Sequence, residues 1–182
     1  IPALTAGEST QAIAAAEREF PAWSGLLPQE RARLLRNWFN EIAANREDLA
    51  VLMTLEQGKP LSEARGEIDY AASFVEFYAE EAKRTNIETV TSHLPGAAMS
   101  VRRQPMGVAA LVTPWNFPSA MITRKAAAAL AAGCTTVVHP SHQTPFSALA
   151  LAELAERAGL PAGVFNVVTG NAAEVVAPMT ES

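Results

Sequence analysis

The sequence predicts an α/β protein, helical over its first half and built on a parallel sheet over its second. Three observations carry this. Apolar residues recur every three to four positions through residues 1–84. From residue 107 they fall instead into short runs separated by helical stretches. The chain has 182 residues, of which 49% are hydrophobic and 18% charged, enough to bury a core in one unit.

Pro28 suits the first position of a helix, where the missing N–H costs nothing. Behind it, Leu35, Trp38, Phe39 and Ile42 share a helical spacing, as do Leu49, Leu52 and Met53. Gly58 ends that stretch and Pro60 starts the next. Leu61, Ala64, Ile68, Val75 and Tyr78 form one stripe of a long helix, and core packing accounts for it. Residues 85–106, rich in Thr, Val and Ser around Pro95-Gly96, predict a hairpin or an extended crossover.

Residues 107–182 predict half a sheet. The strands fall at 107–112, 135–138 and 164–168. Helices follow at 119–132, at 144–158 and from about residue 172. Gly133 ends the first of these, and Thr144 and Pro145 begin the second. The order β-α-β-α-β-α implies parallel strands with right-handed crossovers. Ligands then bind in the loops after the strands, here 113–118, 139–144 and 169–172. A half sheet also predicts a free edge and an uncovered apolar face, hence association.

The net charge of -5 argues against a nucleic-acid partner, which needs a basic face. No run of 18 apolar residues is present, so no membrane span is expected. The single cysteine, Cys134, excludes an internal disulfide and points to a reducing, cytoplasmic setting. The chain opens on Ile1 rather than Met, which leaves room for a removed targeting segment. His139 and His142 lack the further ligands a metal needs, with His93 distant in the sequence, so no metal site is expected. No GxGxxG or Walker A motif occurs, so any dinucleotide must be held by other phosphate contacts.

Chemistry concentrates in the loop Thr113, Pro114, Trp115, Asn116, Phe117 and Pro118. Two prolines stiffen it, and an exposed amide held in advance is what a developing oxyanion requires. A turn with packed Trp and Phe is an equally good reading of those residues alone. Arg124 has the fork geometry to clamp a carboxylate, although a solvated surface position is the more usual fate of such a residue. Cys134, between a helix-ending glycine and a strand, reads as buried and unreactive.

Several segments together resemble the aldehyde dehydrogenase family. They are residues 56–60 (EQGKP), 103–107 (RQPMG), 107–118 (GVAALVTPWNFP), 131–138 (AAGCTTVV), Thr144-Pro145, 158–161 (AGLP) and 163–170 (GVFNVVTG). Residues 119–125 (SAMITRK) resemble the succinate-semialdehyde branch. The resemblance implies the first half of that family's Rossmann-like fold. It also implies oxidation of succinate semialdehyde or a similar semialdehyde with NADP or NAD, in a homo-oligomer. In the family a cysteine thiolate attacks the aldehyde, hydride leaves to the nicotinamide, and a glutamate activates water against the thioester.

By the same resemblance, Asn116 supplies the oxyanion amide, and Thr113, Pro114, Trp115 and Asn116 line the dinucleotide site. His139, Pro140, Ser141 and His142 hold the adenine ribose, and Arg124 holds the substrate carboxylate. Lys125 falls at a position linked to proton relay. The family's nucleophilic cysteine and general-base glutamate lie beyond Ser182, so the chain alone is expected to be inactive. The family usually has lysine where His139 stands, and NAD-preferring members often carry glutamate in place of His142. Those departures imply weaker cofactor binding and tolerance of NADP. Alternatives are a non-catalytic nucleotide- or partner-binding remnant, or a dehydrogenase for glutarate semialdehyde or another aldehyde.

Overall fold

The computed structural model describes residues 1–84 and 88–181. Residues 85–87, where the expected hairpin begins, and Ser182 lie outside that description. Four helices come first: α1 (Ala6–Gly25), α2 (Pro28–Ala44), α3 (Arg46–Gln57) and α4 (Leu61–Glu81). A short antiparallel hairpin follows, β1 (Glu88–Val90) paired with β2 (Met99–Val101). Then come β3 (Val108–Val112), α5 (Ala120–Ala132), β4 (Thr135–His139), α6 (Pro145–Arg157) and β5 (Phe165–Val167). Two short helices close the chain, α7 (Ala172–Val175) and α8 (Ala177–Glu181).

The sheet is parallel in the order β3-β4-β5, with β4 central and buried along its whole length. Helices α5 and α6 pack against it, and α2, α3 and α4 lie outside them. The aromatic stripe of α2 is core, as expected. Trp38 is fully buried and its indole N–H donates to the Leu151 carbonyl at 3.1 Å. Trp23 does the same for Leu130 at 3.2 Å. Trp38 therefore ties α2 to α6, and Trp23 ties the end of α1 to α5, each while burying a large apolar area. Arg31, buried at the C-terminal end of α5, donates to the Ala131 carbonyl at 3.2 Å and to the Leu26 carbonyl at 2.5 Å. Burial lowers its pKa, while a cation at a helix C-terminus is favoured by the dipole.

The expectation of an uncovered apolar face is overturned. Helix α1 lies across all three strands of the sheet on the side opposite α5 and α6. Its Ala12, Ile13 and Ala16 pack with Val137, Val168 and Val175. Polar ties fix the placement: Thr135 Oγ1 donates to the Ala16 carbonyl at 2.9 Å, and Ser9 Oγ to the Val175 carbonyl at 2.7 Å. The helix precedes Pro28, the first start signal read from the sequence. Pro21 inside it interrupts the pattern by which a helix is recognised. Residues ahead of α1 form a strap. Leu4 pairs in parallel with Gly170, and its N–H donates to the Thr169 carbonyl at 2.9 Å. Gly170 has a φ of 148°, and a Cβ there would lie 2.5 Å from the Leu4 carbonyl oxygen, so only glycine permits this approach.

Ion pairs lace the outer helices: Arg46 with Asp69, Arg65 with Glu47, and Arg36 with Glu76 and Glu80. Three carboxyls are held below their ordinary range, chiefly by hydrogen bonds: Glu47 from Arg65, Asp69 from Arg46, and Glu80 from Lys83. A carboxyl lowered in the folded state adds stability that is present above its unfolded value and lost as pH falls through the folded one. The thermal midpoint of this helical layer should therefore drop as pH falls below about 4. The drop should be modest because the pairs are exposed. Circular dichroism melts across that window check this, and Asp69→Asn should flatten the dependence.

Candidate active site

The loops after β3 and β4 meet at the carboxyl edge of the sheet, where the Thr113 N–H donates to the His139 carbonyl at 3.1 Å. Thr113 is buried, and its hydroxyl has no partner among the described residues. The chain then emerges: Pro114, Trp115, Asn116 and Phe117 are exposed, and Pro118 and Ser119 are buried again. A short arch is thus anchored at both feet.

Main-chain atoms of the arch are held from below. Gln57 Nε2 donates to the carbonyls of Trp115 and Asn116, each at 3.0 Å. Lys59 Nζ donates to the Asn116 carbonyl at 3.1 Å and stands 4.3 Å from the centre of the Phe117 ring. Gly58, left-handed with a φ of 82°, turns the chain between these two residues. Lys59 pairs with Glu67, whose other oxygen accepts from the N–H groups of Ser119 and Ala120 at 3.0 and 3.3 Å. The Asn116 side-chain amide is left free, with no hydrogen bond among the described residues, and it faces solvent.

Helix α6 is capped in the same manner. Thr144 holds the N-cap position read from the sequence, but its side chain caps nothing. The Glu56 carboxylate does so instead, accepting from Phe146 N at 2.8 Å, from Ser147 N at 2.9 Å, and from the Ser147 hydroxyl. The starts of α5 and α6 therefore already carry a carboxylate. The dipole that would attract a phosphate there is neutralised.

Arg124 lies on the second turn of α5, exposed, with its guanidinium carbon 5.8 Å from the centre of the Phe74 ring. Phe74 is itself edge-on to Tyr70, 4.6 Å between centroids. Arg124 makes no ion pair among the described residues, so its charge is braced by an aromatic ring and otherwise open. Lys125 donates to the Val112 carbonyl at 2.8 Å.

The histidine loop differs from expectation. The strand read as ending at residue 138 continues to His139, which pairs in register with Val112. His139 is buried, and its Nδ1 lies 2.9 Å from the Val168 carbonyl. A carbonyl only accepts, so Nδ1 carries the proton and only Nε2 is left for a ligand. Pro140 is buried and Ser141 half-buried, and His142 alone of the four is exposed. Cys134 is buried, as expected. Among the described residues no cluster of three or more His, Cys, Asp or Glu could hold a metal, and no helix is long and apolar enough to cross a membrane.

The residues that sequence reasoning missed are Glu56, Gln57, Lys59 and Glu67. The first three stand in the EQGKP segment, which reads as a turn and as part of the family resemblance, with no role assigned to its side chains. The available signal was a cluster of polar side chains around a glycine that needs left-handed geometry.

The fold and these loops define an α/β protein that presents a free amide and an open guanidinium at the carboxyl edge of a parallel sheet. The chain belongs to the aldehyde dehydrogenase family, which it matches over residues 1–182. It is 60% identical over 182 residues to the succinate-semialdehyde dehydrogenase (NADP(+)) GabD of Escherichia coli, covering 100% of this chain and 38% of that protein. It is 59% identical over 182 residues to a glutarate-semialdehyde dehydrogenase of Pseudomonas aeruginosa, again covering 100% of this chain and 38% of the relative. A crystal structure described as an E. coli NADP dependent enzyme superposes with a TM-score of 0.98 at 60% identity, covering 100% of this chain and 38% of the other. The chain thus spans little more than a third of the length of these relatives.

Proposed function

We propose that these residues form the N-terminal, nucleotide-binding part of an oxidoreductase that converts an aldehyde bearing a distal carboxylate to the acid. Succinate semialdehyde is the foremost substrate, and NADP or NAD the oxidant. The observation that carries this is the free Asn116 amide on an arch whose main chain is fixed. Such a donor needs no reorganisation as charge develops on an aldehyde oxygen. The open charge of Arg124, one turn into the following helix, supports a carboxylate at the other end of the substrate. The relatives named for succinate and glutarate semialdehydes act, by those names, on aldehydes of this class.

The residues present fit the nucleoside end of a dinucleotide. The Thr113 hydroxyl has no partner among the described residues, and Trp115 and His142, on the loops after β3 and β4, are exposed. The starts of α5 and α6 are closed to the diphosphate, since Glu67 and Glu56 occupy them. When bound, the nicotinamide accepts the hydride. This chain's part is to hold the nucleoside with Thr113, Pro114, Trp115 and the His139–His142 loop, to receive the oxyanion with Asn116, and to orient the acid tail with Arg124. The one thiol here, Cys134, is buried away from that edge, so these residues alone turn over no aldehyde.

Adding succinate semialdehyde and NADP to the complete enzyme should produce reduced nicotinamide at a rate that a plain aldehyde of equal length does not match. Equal rates would refute the substrate class. With Nδ1 bound to Val168, Nε2 is the His139 atom left to meet a ribose hydroxyl. His139→Leu should weaken dinucleotide binding to the complete enzyme, measured by calorimetry, and unchanged binding would overturn this.

A further inference from the structure

We propose that the turn joining α3 to α4 is a positioning device for the oxyanion amide. Gln57 and Lys59 act as positioning residues and Glu67 as the anchor beneath them. The inference rests on the role of Asn116 given above, and deepens it.

Five hydrogen bonds converge from this one element pair on the arch and its far foot. Two from Gln57 and one from Lys59 end on the carbonyls of residues 115 and 116. Glu67 takes the N–H groups of residues 119 and 120. The main chain is therefore held on both sides of Phe117-Pro118, while the side chain of Asn116 stays free. The holding groups are linked to one another: Lys59 bonds Glu67, and Lys59 also covers the Phe117 ring. The Glu67 side chain is 1% exposed and that of Lys59 11%, so the pair is nearly dry and water cannot loosen it. A pair of this kind is costly to bury and is weak evidence for stability alone. Its bonds run to the atoms that set where the amide points, and a misplacement of about 1 Å can cost 10²-fold in rate.

The Gln57 geometry gives a clean test. Its Oε1 is buried without a partner among the described residues, so Gln57→Leu removes an unsatisfied atom together with the two N–H donors. The variant should fold with a thermal midpoint near that of the parent. In the complete enzyme, kcat for succinate semialdehyde should fall roughly 10-fold with KM nearly unchanged. In an Asn116→Ala background the same substitution should cost nothing further, because the group being positioned is gone. Gln57→Asn should not rescue, being one methylene short of both carbonyls. Lys59→Met should behave as Gln57→Leu does if it folds, and Gln57→Leu decides the matter if it does not.

The outcomes separate cleanly. If Asn116→Ala leaves kcat intact, the oxyanion reading fails. If Asn116→Ala is slow but Gln57→Leu has parental kcat, or costs as much in both backgrounds, the positioning role fails and the turn is only scaffold.

Discussion

Asn116→Ala in the complete enzyme is expected to lower kcat by roughly 10²- to 10³-fold, about 2.7–4 kcal/mol of transition-state stabilisation. KM for the aldehyde should change little, because the amide acts on charge that develops only as the carbonyl is attacked. Folding is not at stake. The side chain is exposed and bonds nothing among the described residues, while the arch is held through its main chain. Steady-state kinetics with a parallel thermal melt will decide. An unchanged kcat with an unchanged melt would remove the observation on which the proposed chemistry stands.

Arg124→Leu is expected to act on KM rather than kcat, and only for acidic aldehydes. A charge-assisted hydrogen bond contributes roughly 1.5–3 kcal/mol, so kcat/KM for succinate semialdehyde should fall roughly 10- to 150-fold. Butanal, which has the same length and no acid, should be oxidised as before. Leucine keeps the packing against Phe74 while removing the charge, so the comparison isolates the guanidinium. A parallel fall for both aldehydes would mean that Arg124 supports the fold of α5 and not the substrate.

The parallel half of the fold was legible because its strands are short apolar runs and its helices end at glycines. The β-α-β order and the loop positions followed from those signals. Residues 1–84 read as helical, but the bounds of α1 and its seat on the sheet were not legible, since a proline interrupts it and its apolar stripe faces strands more than a hundred residues away. The strand end at His139 was misplaced by one residue because a polar side chain there reads as loop. Its bond to Val168 joins positions 29 apart, which no local pattern reveals. At the site, Asn116 and Arg124 could be singled out by residue type and loop position. Glu56, Gln57, Lys59 and Glu67 could not, because their partners are main-chain atoms about 50 to 90 residues onward. Main-chain partners leave no mark in the letters of a sequence. The N-cap positions of α5 and α6 hold Ser119 and Thr144, yet distant carboxylates do the capping.

The strap at Leu4 and the helix behind it bear on how the chain is made. Synthesis delivers α1 well ahead of its seat, since Val137, Val168 and Val175 leave the ribosome more than a hundred residues later. Ser9 must wait for a partner 166 residues downstream. Until then an apolar helix and a bare sheet surface coexist in one nascent molecule, the condition under which chaperones are recruited and neighbouring chains exchange arms.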